Sequence, residues 1–367
     1  MERLNIGNLT AGNCIVQGGM GVGISMSGLA SAVANQGGIG VIATVGLGLL
    51  SNKRQKSYRH GSIESLKEEI RKARRSTRGI LGVNIMGALT NYADLVKTSI
   101  AEKIDIIFTG AGLPLELPGY LNGSTGTKLV PIVSSVRAAK IIFNKWLRNY
   151  DYLPDAVVVE GPKAGGHLGF KAEQIHKDEF QLENLIPDIR QLVDDYEANY
   201  EKKIPIIAAG GIYSGKDILR FHKLGADGVQ MGTRFVTTHE CDASEDFKKA
   251  YVNAKKKDIV IIKSPVGMPG RAINNAFVKQ TSEGKQLPTR CMHHCLKSCN
   301  YKTTPYCIAN ALVNAQKGNM NGGFAFAGSN AYKNSRIVSV KQVFDCIEEE
   351  YQKAQGKKHH QTQSYTS

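Results

Sequence analysis

Short runs of β-branched and small apolar residues alternate with longer amphipathic segments as far as residue 254, and nothing else in this 367-residue chain narrows the fold so much. The runs lie at 14–17, 40–43, 81–86, 104–108, 129–133, 156–160, 204–209 and 228–231. Helical patterns separate them at 28–35, 62–75, 92–102, 136–149, 179–200 and 215–224, with another at 245–254. The fourth connection, GLPLELPGYLNGSTG, carries two prolines and four glycines and reads as loop. Strands that alternate with helices build a parallel sheet, and eight of them close into a ring. The expected fold is therefore α/β, a TIM-type (β/α)8 barrel over residues 1–258. A Cys-containing extension packs on it over 259–354, and 355–367 is a polar, disordered tail.

Barrels of this kind carry their active sites where strands end and βα loops begin. The strand ends here are rich in glycine and polar residues: QGGMG at 17–21, Asn84, TGAG at 109–112, Ser134 and Ser135, EGPKAGGHLGF at 160–170, AAGGIYSG at 208–215 and QMGTRF at 230–235. In the stretch after the sixth strand, Gly165 and Gly166 let a flat or anionic ligand approach the backbone, and His167 stands beside them. Imidazole titrates near neutrality, so this side chain is the candidate proton carrier. The seventh and eighth loops of such barrels commonly bind phosphate, a role that suits Gly210, Gly211, Gly232 and Thr233.

A phosphate clamp, a glycine floor and an adjacent histidine point to a cofactor with a phosphate tail and a planar reactive ring, and flavin mononucleotide (FMN) fits best. No GxGxxG opens a helix at the expected distance from an acidic residue, which argues against a built-in dinucleotide domain and leaves NAD(P)H as an external electron donor. Hydrophobic residues at 42% and charged ones at 22% describe a globular chain. The net charge of +15 is dispersed, and its densest patches at 53–59, 71–78 and 255–257 have no interleaved aromatics, so nucleic acid is not expected as a partner. The opening residues lack the features of a signal peptide and no apolar run approaches about 18 residues, so a cytoplasmic protein without a membrane partner is expected. Seven cysteines, an odd number, agree with reduced thiols.

The motifs QGGMG, GVNIM, EGPKAGGHLGF, IPIIAAGGI and GADGVQMGTRF, in that order, resemble the FMN-dependent nitronate monooxygenases, formerly called 2-nitropropane dioxygenases. The flavin enoyl-acyl-carrier-protein reductases share the pattern. The resemblance covers roughly residues 10 to 275. It implies that Gly19 and Met20 lie against the flavin and that Asn84 bonds to its ring. Glu160 stands where many of these monooxygenases have a flavin-contacting glutamine, and an ionised glutamate cannot donate there. Gly165, Gly211, Gln230, Met231, Gly232 and Thr233 match positions that bind the phosphate and ribityl chain, and His167 matches the active-site histidine. The implied reaction converts an alkyl nitronate and oxygen to a carbonyl compound and nitrite, with His167 orienting the anion, taking the α-proton of a neutral nitroalkane, or as imidazolium stabilising reduced flavin. The alternatives are NAD(P)H-dependent reduction of an enoyl thioester, and a flavoprotein kept for binding or redox sensing.

Beyond the barrel, SPVGMPGRAINNAF at 264–277 resembles a segment that leads into a substrate-covering region. Arg271 within it reads as one half of a surface ion pair, with contact to an anionic substrate as the other possibility. In CMHHCLKSCNYKTTPYC, a helix would bring Cys291, Cys295 and Cys299 onto one face, with Cys307 to follow. Zinc, an iron-sulfur cluster, redox-active or disulfide thiols, and buried small side chains all remain open there, and no metal is assigned to the active site. GGFAFAGSNAY at 322–332 should pack back on the barrel. The pattern at 339–354 reads as a docking helix, or one that pairs two copies in a homodimer.

Overall fold

The structure, a computed structural model, describes residues 1–50, 57–287, 291 and 293–356. The tail expected from residue 355 lies largely outside these residues, as does most of the basic patch at 53–59. Eight parallel strands form one sheet: β1 (Ile15–Gln17), β2 (Gly40–Ala43), β3 (Leu81–Met86), β4 (Ile106–Gly110), β5 (Lys128–Val133), β6 (Val157–Glu160), β7 (Ile206–Ala209) and β8 (Gly228–Met231). Each strand pairs with its successor from β2 onwards, and β8 pairs with β1. A parallel bridge between Val16 and Ile39 closes the ring, reinforced by backbone bonds from Gln17 N–H to Ile39 and from Ile39 N–H to Ile15, each 2.9 Å. The chain is a TIM-type (β/α)8 barrel.

The outer layer contains α1 (Ser27–Asn35), α2 (Tyr58–Ser76), α3 (Tyr92–Ala101), α4 (Val136–Tyr150), α5 (Leu182–Tyr200), α6 (Gly215–Lys223) and α7 (Glu245–Asn253). Side-chain oxygens start four of them: Ser57, Ser135, Ser214 and Ser244 each accept a backbone N–H three residues on. Alternation along the strands splits the core in two. Val16, Val41, Phe108, Val130, Val158 and Ile207 fill the barrel, while their neighbours, such as Ile15, Val157 and Val229, face the helices. A hairpin of Leu4–Ile6 and Leu9–Ala11 plugs the end where the strands begin, with Leu4, Ile6 and Ala11 joining the interior cluster. Sequence periodicity did not reveal this hairpin. Gly7-Asn8 at its turn is the signal that marks it.

After the barrel come β9 (Ile259–Lys263) and β10 (Pro269–Ile273), an antiparallel pair, then α8 (Ala276–Ser282), α9 (Ile308–Gln316) and α10 (Val340–Ala354). The apolar face of α10, with Val340, Val343, Phe344, Ile347 and Tyr351, is buried against α6 and α1, so this helix docks within its own chain. No helix among the described residues is long and apolar enough to cross a membrane. Cys291, Cys295 and Cys299 do not share a helical face as expected: the segment is irregular, with His294 at φ 43° and Leu296 bridged to Leu89. Tertiary pairing overrides the four-residue spacing there.

Candidate active site

The register of the sheet gathers the carboxyl ends of its strands onto one rim. Ala209 lies beside both Glu160 and Gln230, and Met231 lies beside Gln17. Above that rim opens a cavity of about 500 Å3, within the range of roughly 300–1,000 Å3 that cofactor and ligand clefts occupy. Of the residues singled out in the sequence, Gly19, Met20, Asn84, Glu160, Gly165, Gly166, His167, Gly210, Gly211, Gln230, Gly232 and Thr233 all line it. Met231 does not. Gly228 and Gln230 face inward on β8, so Met231 points outward into the layer beneath the helices. Its contribution is backbone: its carbonyl accepts the Gly18 N–H at 3.0 Å.

The floor depends on missing Cβ atoms. A Cβ on Gly19 would stand 2.3 Å from that of Asn84, and one on Gly165 would stand 2.6 Å from the backbone of Ala327 and Gly328. Gly210 and Gly211 both take positive φ, 99° and 81°, which turns the chain after β7 back under the cavity.

Glu160 continues the inward set of Ala156 and Val158 and so delivers its carboxyl to the cavity. Among the described residues it has no ion-pair partner, and burial pushes its pKa up to about 7. Lys163, nearby in the lining, is committed to Glu183 at 3.5 Å.

His167 is held by a small antiparallel sheet. Gly166–His167 pairs with β10, His167 opposite Gly270. Its Nε2 lies 2.7 Å from Ser264 Oγ, and its ring meets Phe326 edge-on at 5.0 Å. Ser264 sits in the tight β9–β10 turn, where its N–H donates to Met268 O at 3.0 Å. Burial lowers the His167 pKa to about 4, so the imidazole is neutral across the physiological range. That is the form of a base or hydrogen-bond partner, not of the imidazolium considered above for reduced flavin.

Arg271 is neither a surface ion pair nor part of the cavity lining. Its side chain is buried, and Nη1 donates to the carbonyls of Pro162 at 2.5 Å and Ala164 at 2.6 Å. It fixes the loop that presents Gly165 to His167, and burial without an acidic partner lowers its pKa to about 10.

The segment 327–330 was the main omission from the sequence-derived site. It lines the cavity and is stitched to three barrel loops: Gly328 N–H donates to Thr233 Oγ1 at 3.1 Å, Asn330 Nδ2 to Gly211 O at 2.7 Å, and Ser329 N–H to Lys163 O at 3.1 Å. Tyr251 on α7 supports it by donating to Phe326 O. Its AGSN composition suggested a packed loop, and only the fold shows which glycines it meets.

The family model for nitronate monooxygenases matches residues 5–104 and 87–350. A probable nitronate monooxygenase of Staphylococcus aureus (strain Newman) is 29% identical over 293 residues, 73% of this chain and 77% of the relative. The structure of FabK from Thermotoga maritima superposes with a TM-score of 0.73 at 28% identity and covers 94% of both chains. A nitroalkane oxidase from Streptomyces ansochromogenes, at 21% identity and a TM-score of 0.72 over 94% of this chain and 97% of its own, shares the fold. With a matching model that spans nearly the whole described chain, and a glycine-floored cavity at the rim where such a barrel keeps its chemistry, this protein belongs to the nitronate monooxygenase family of flavin-type oxidoreductases.

Proposed function

We propose that the cavity binds FMN and that the protein oxidises alkyl nitronates with oxygen to a carbonyl compound and nitrite. One observation carries this reading: a neutral imidazole, clamped by Ser264 and Phe326, is presented to a glycine-floored cavity at the carboxyl rim of the barrel. The residues fit the cofactor. Gly166 faces open space, with nothing within 4 Å of where a Cβ would stand, and Gly211, Gly232, Thr233 and Asn330 offer a polar end suited to a phosphate. Glu160 brings an unpaired carboxyl that is half protonated near neutrality, so it can donate a hydrogen bond as the family's glutamine would. Bound FMN supplies an electron acceptor that oxygen can reoxidise.

His167 then either orients the nitronate through a ring nitrogen or removes the α-proton of the neutral nitroalkane. Ser264 holds the ring and settles which nitrogen faces the substrate. Leu296, Leu312 and Phe326 in the lining keep water from the reacting carbon.

A second reading is NAD(P)H-dependent reduction of an enoyl thioester, the other branch of the motif resemblance. It is favoured by the 28% identity to the Thermotoga maritima FabK structure, against 21% to the nitroalkane oxidase. Purified protein given propyl nitronate in air is expected to release nitrite. Absence of nitrite together with NAD(P)H consumption on crotonyl thioester would move the assignment to the reductase branch. Silence in both assays would leave a binding protein.

A further inference from the structure

The thiol-rich stretch at 291–307 is not used by the reaction proposed above. Cys291, Cys295, Cys299 and Cys307 line a single small cavity of about 30 Å3. All seven cysteines of the chain are free thiols, but only Cys14 and Cys241 are buried in the core as small apolar residues. The four in this stretch are each half-buried.

They reach the cavity on irregular backbone that is tied down from outside. Thr90 N–H donates to Cys295 O at 3.2 Å, Thr90 Oγ1 to His294 O at 2.8 Å, and Lys297 N–H to Ala88 O at 2.9 Å. Cys307 is fixed as the residue that precedes α9. A backbone N–H is also aimed at sulfur: His294 N–H donates to Cys291 Sγ at 3.4 Å.

The lining offers sulfur and one imidazole, with no carboxylate. That imidazole, His294, is packed edge-on against Tyr301 at 5.0 Å, and neighbouring His293 lies against Tyr58 at 5.6 Å. A soft, all-thiolate set selects zinc or an iron-sulfur centre. The two differ in how far apart they hold their ligands. Zinc bonds sulfur at about 2.3 Å, so its tetrahedral thiolates stand roughly 4 Å from one another. Among the described residues no three His, Cys, Asp or Glu side chains gather tightly enough to hold one metal ion. Thiols that surround a common cavity without meeting at a point suit a cluster, whose separate iron atoms each take a ligand from a different side.

We propose that Cys291, Cys295, Cys299 and Cys307 ligate a polynuclear iron-sulfur cluster seated in the cavity between them. The cavity is not isolated. Cys295, Leu296, Ile308 and Ala309 line both it and the large cavity at the barrel rim, so the cluster would lie directly behind the wall of the active site. The site needs only the chain's own thiols, so its test is independent of the cofactor and reaction proposed above.

The full chain, produced with iron supplied and purified without oxygen, is analysed for iron, zinc, acid-labile sulfide and flavin. Iron and sulfide are expected in roughly equal amounts, at least about two of each per chain. Dithionite reduction should give a paramagnetic signal distinct from that of any flavin. Cys291→Ser and Cys299→Ser are each expected to lose iron and sulfide together, while circular dichroism shows whether the barrel is intact. Should a variant fail to fold, the metal content of the native chain decides. About one zinc per chain without sulfide would overturn the proposal, as would four alkylatable thiols with no metal.

Discussion

At the scale of single residues, the site pairs two titratable groups that the same burial pushes in opposite directions. Glu160 is raised to about 7 and His167 lowered to about 4, so both are largely neutral just below pH 7. For Glu160 the folded chain holds its proton more tightly than the unfolded one, so its contribution to stability falls as pH rises through the interval between the ordinary carboxylate value and about 7. Before any ligand binds, Glu160→Gln is expected to raise stability at pH 8 by up to about 3 kcal/mol and to leave it nearly unchanged at pH 4, as read from urea midpoints. Flavin affinity of the native protein is expected to weaken above pH 7, where Glu160 loses its donor, whereas the glutamine variant should bind equally at pH 6 and pH 8. A titration in which both proteins show the same pH dependence would remove Glu160 from the flavin contact. His167→Ala is expected to keep its flavin and lose roughly 100- to 10,000-fold in turnover. An unchanged rate would exclude the histidine from the mechanism. His167 could be read from the sequence because it follows a buried strand and two glycines. Its neutrality could not, since that arises from Phe326 and the surrounding fold.

At the scale of elements, the βα units could be read because each strand and helix carries its own periodicity and polar caps. The same period of two excludes Met231 from the lining: Gln230 faces inward, so its neighbour must face out. The motif match masked a parity that the sequence already contained. Arg271 was misread for the opposite reason. A charged residue usually seeks solvent, and the carbonyls of Pro162 and Ala164 that hold this one are more than a hundred positions away. Arg271→Lys is expected not to rescue what Arg271→Met loses, because both bonds leave Nη1 at the far end of the guanidinium and the shorter lysine stem stops short of that position. Each variant should be roughly 3 kcal/mol less stable in urea titration. A lysine variant as stable as the native chain would show that charge alone suffices. Segment 327–330 was invisible as a site element for the same physical reason, since its bonds to Thr233, Gly211 and Lys163 all join distant parts of the chain.

At the scale of the whole molecule, the barrel supplies the floor of the cavity, and residues beyond 258 supply much of its roof, Leu312 and Phe326 among them, as well as Ser264, which holds His167. A chain that ends at 258 is therefore expected to retain barrel circular dichroism and lose flavin binding. Retained flavin absorbance after gel filtration would refute that division of labour. Within the basic patch at 71–78, Arg71 pairs with Glu102 and Arg74 with Asp105, each at 2.6 Å. The bonds that fasten 327–330 across three loops would also govern exchange of the proposed cofactor. A nucleotide seated against that strap is expected to leave more slowly while the strap is fastened, so its residence time should follow local opening of the chain's end. Prolonged dialysis at neutral pH is then expected to leave the protein yellow, with colour lost on warming only where the C-terminal segment comes loose.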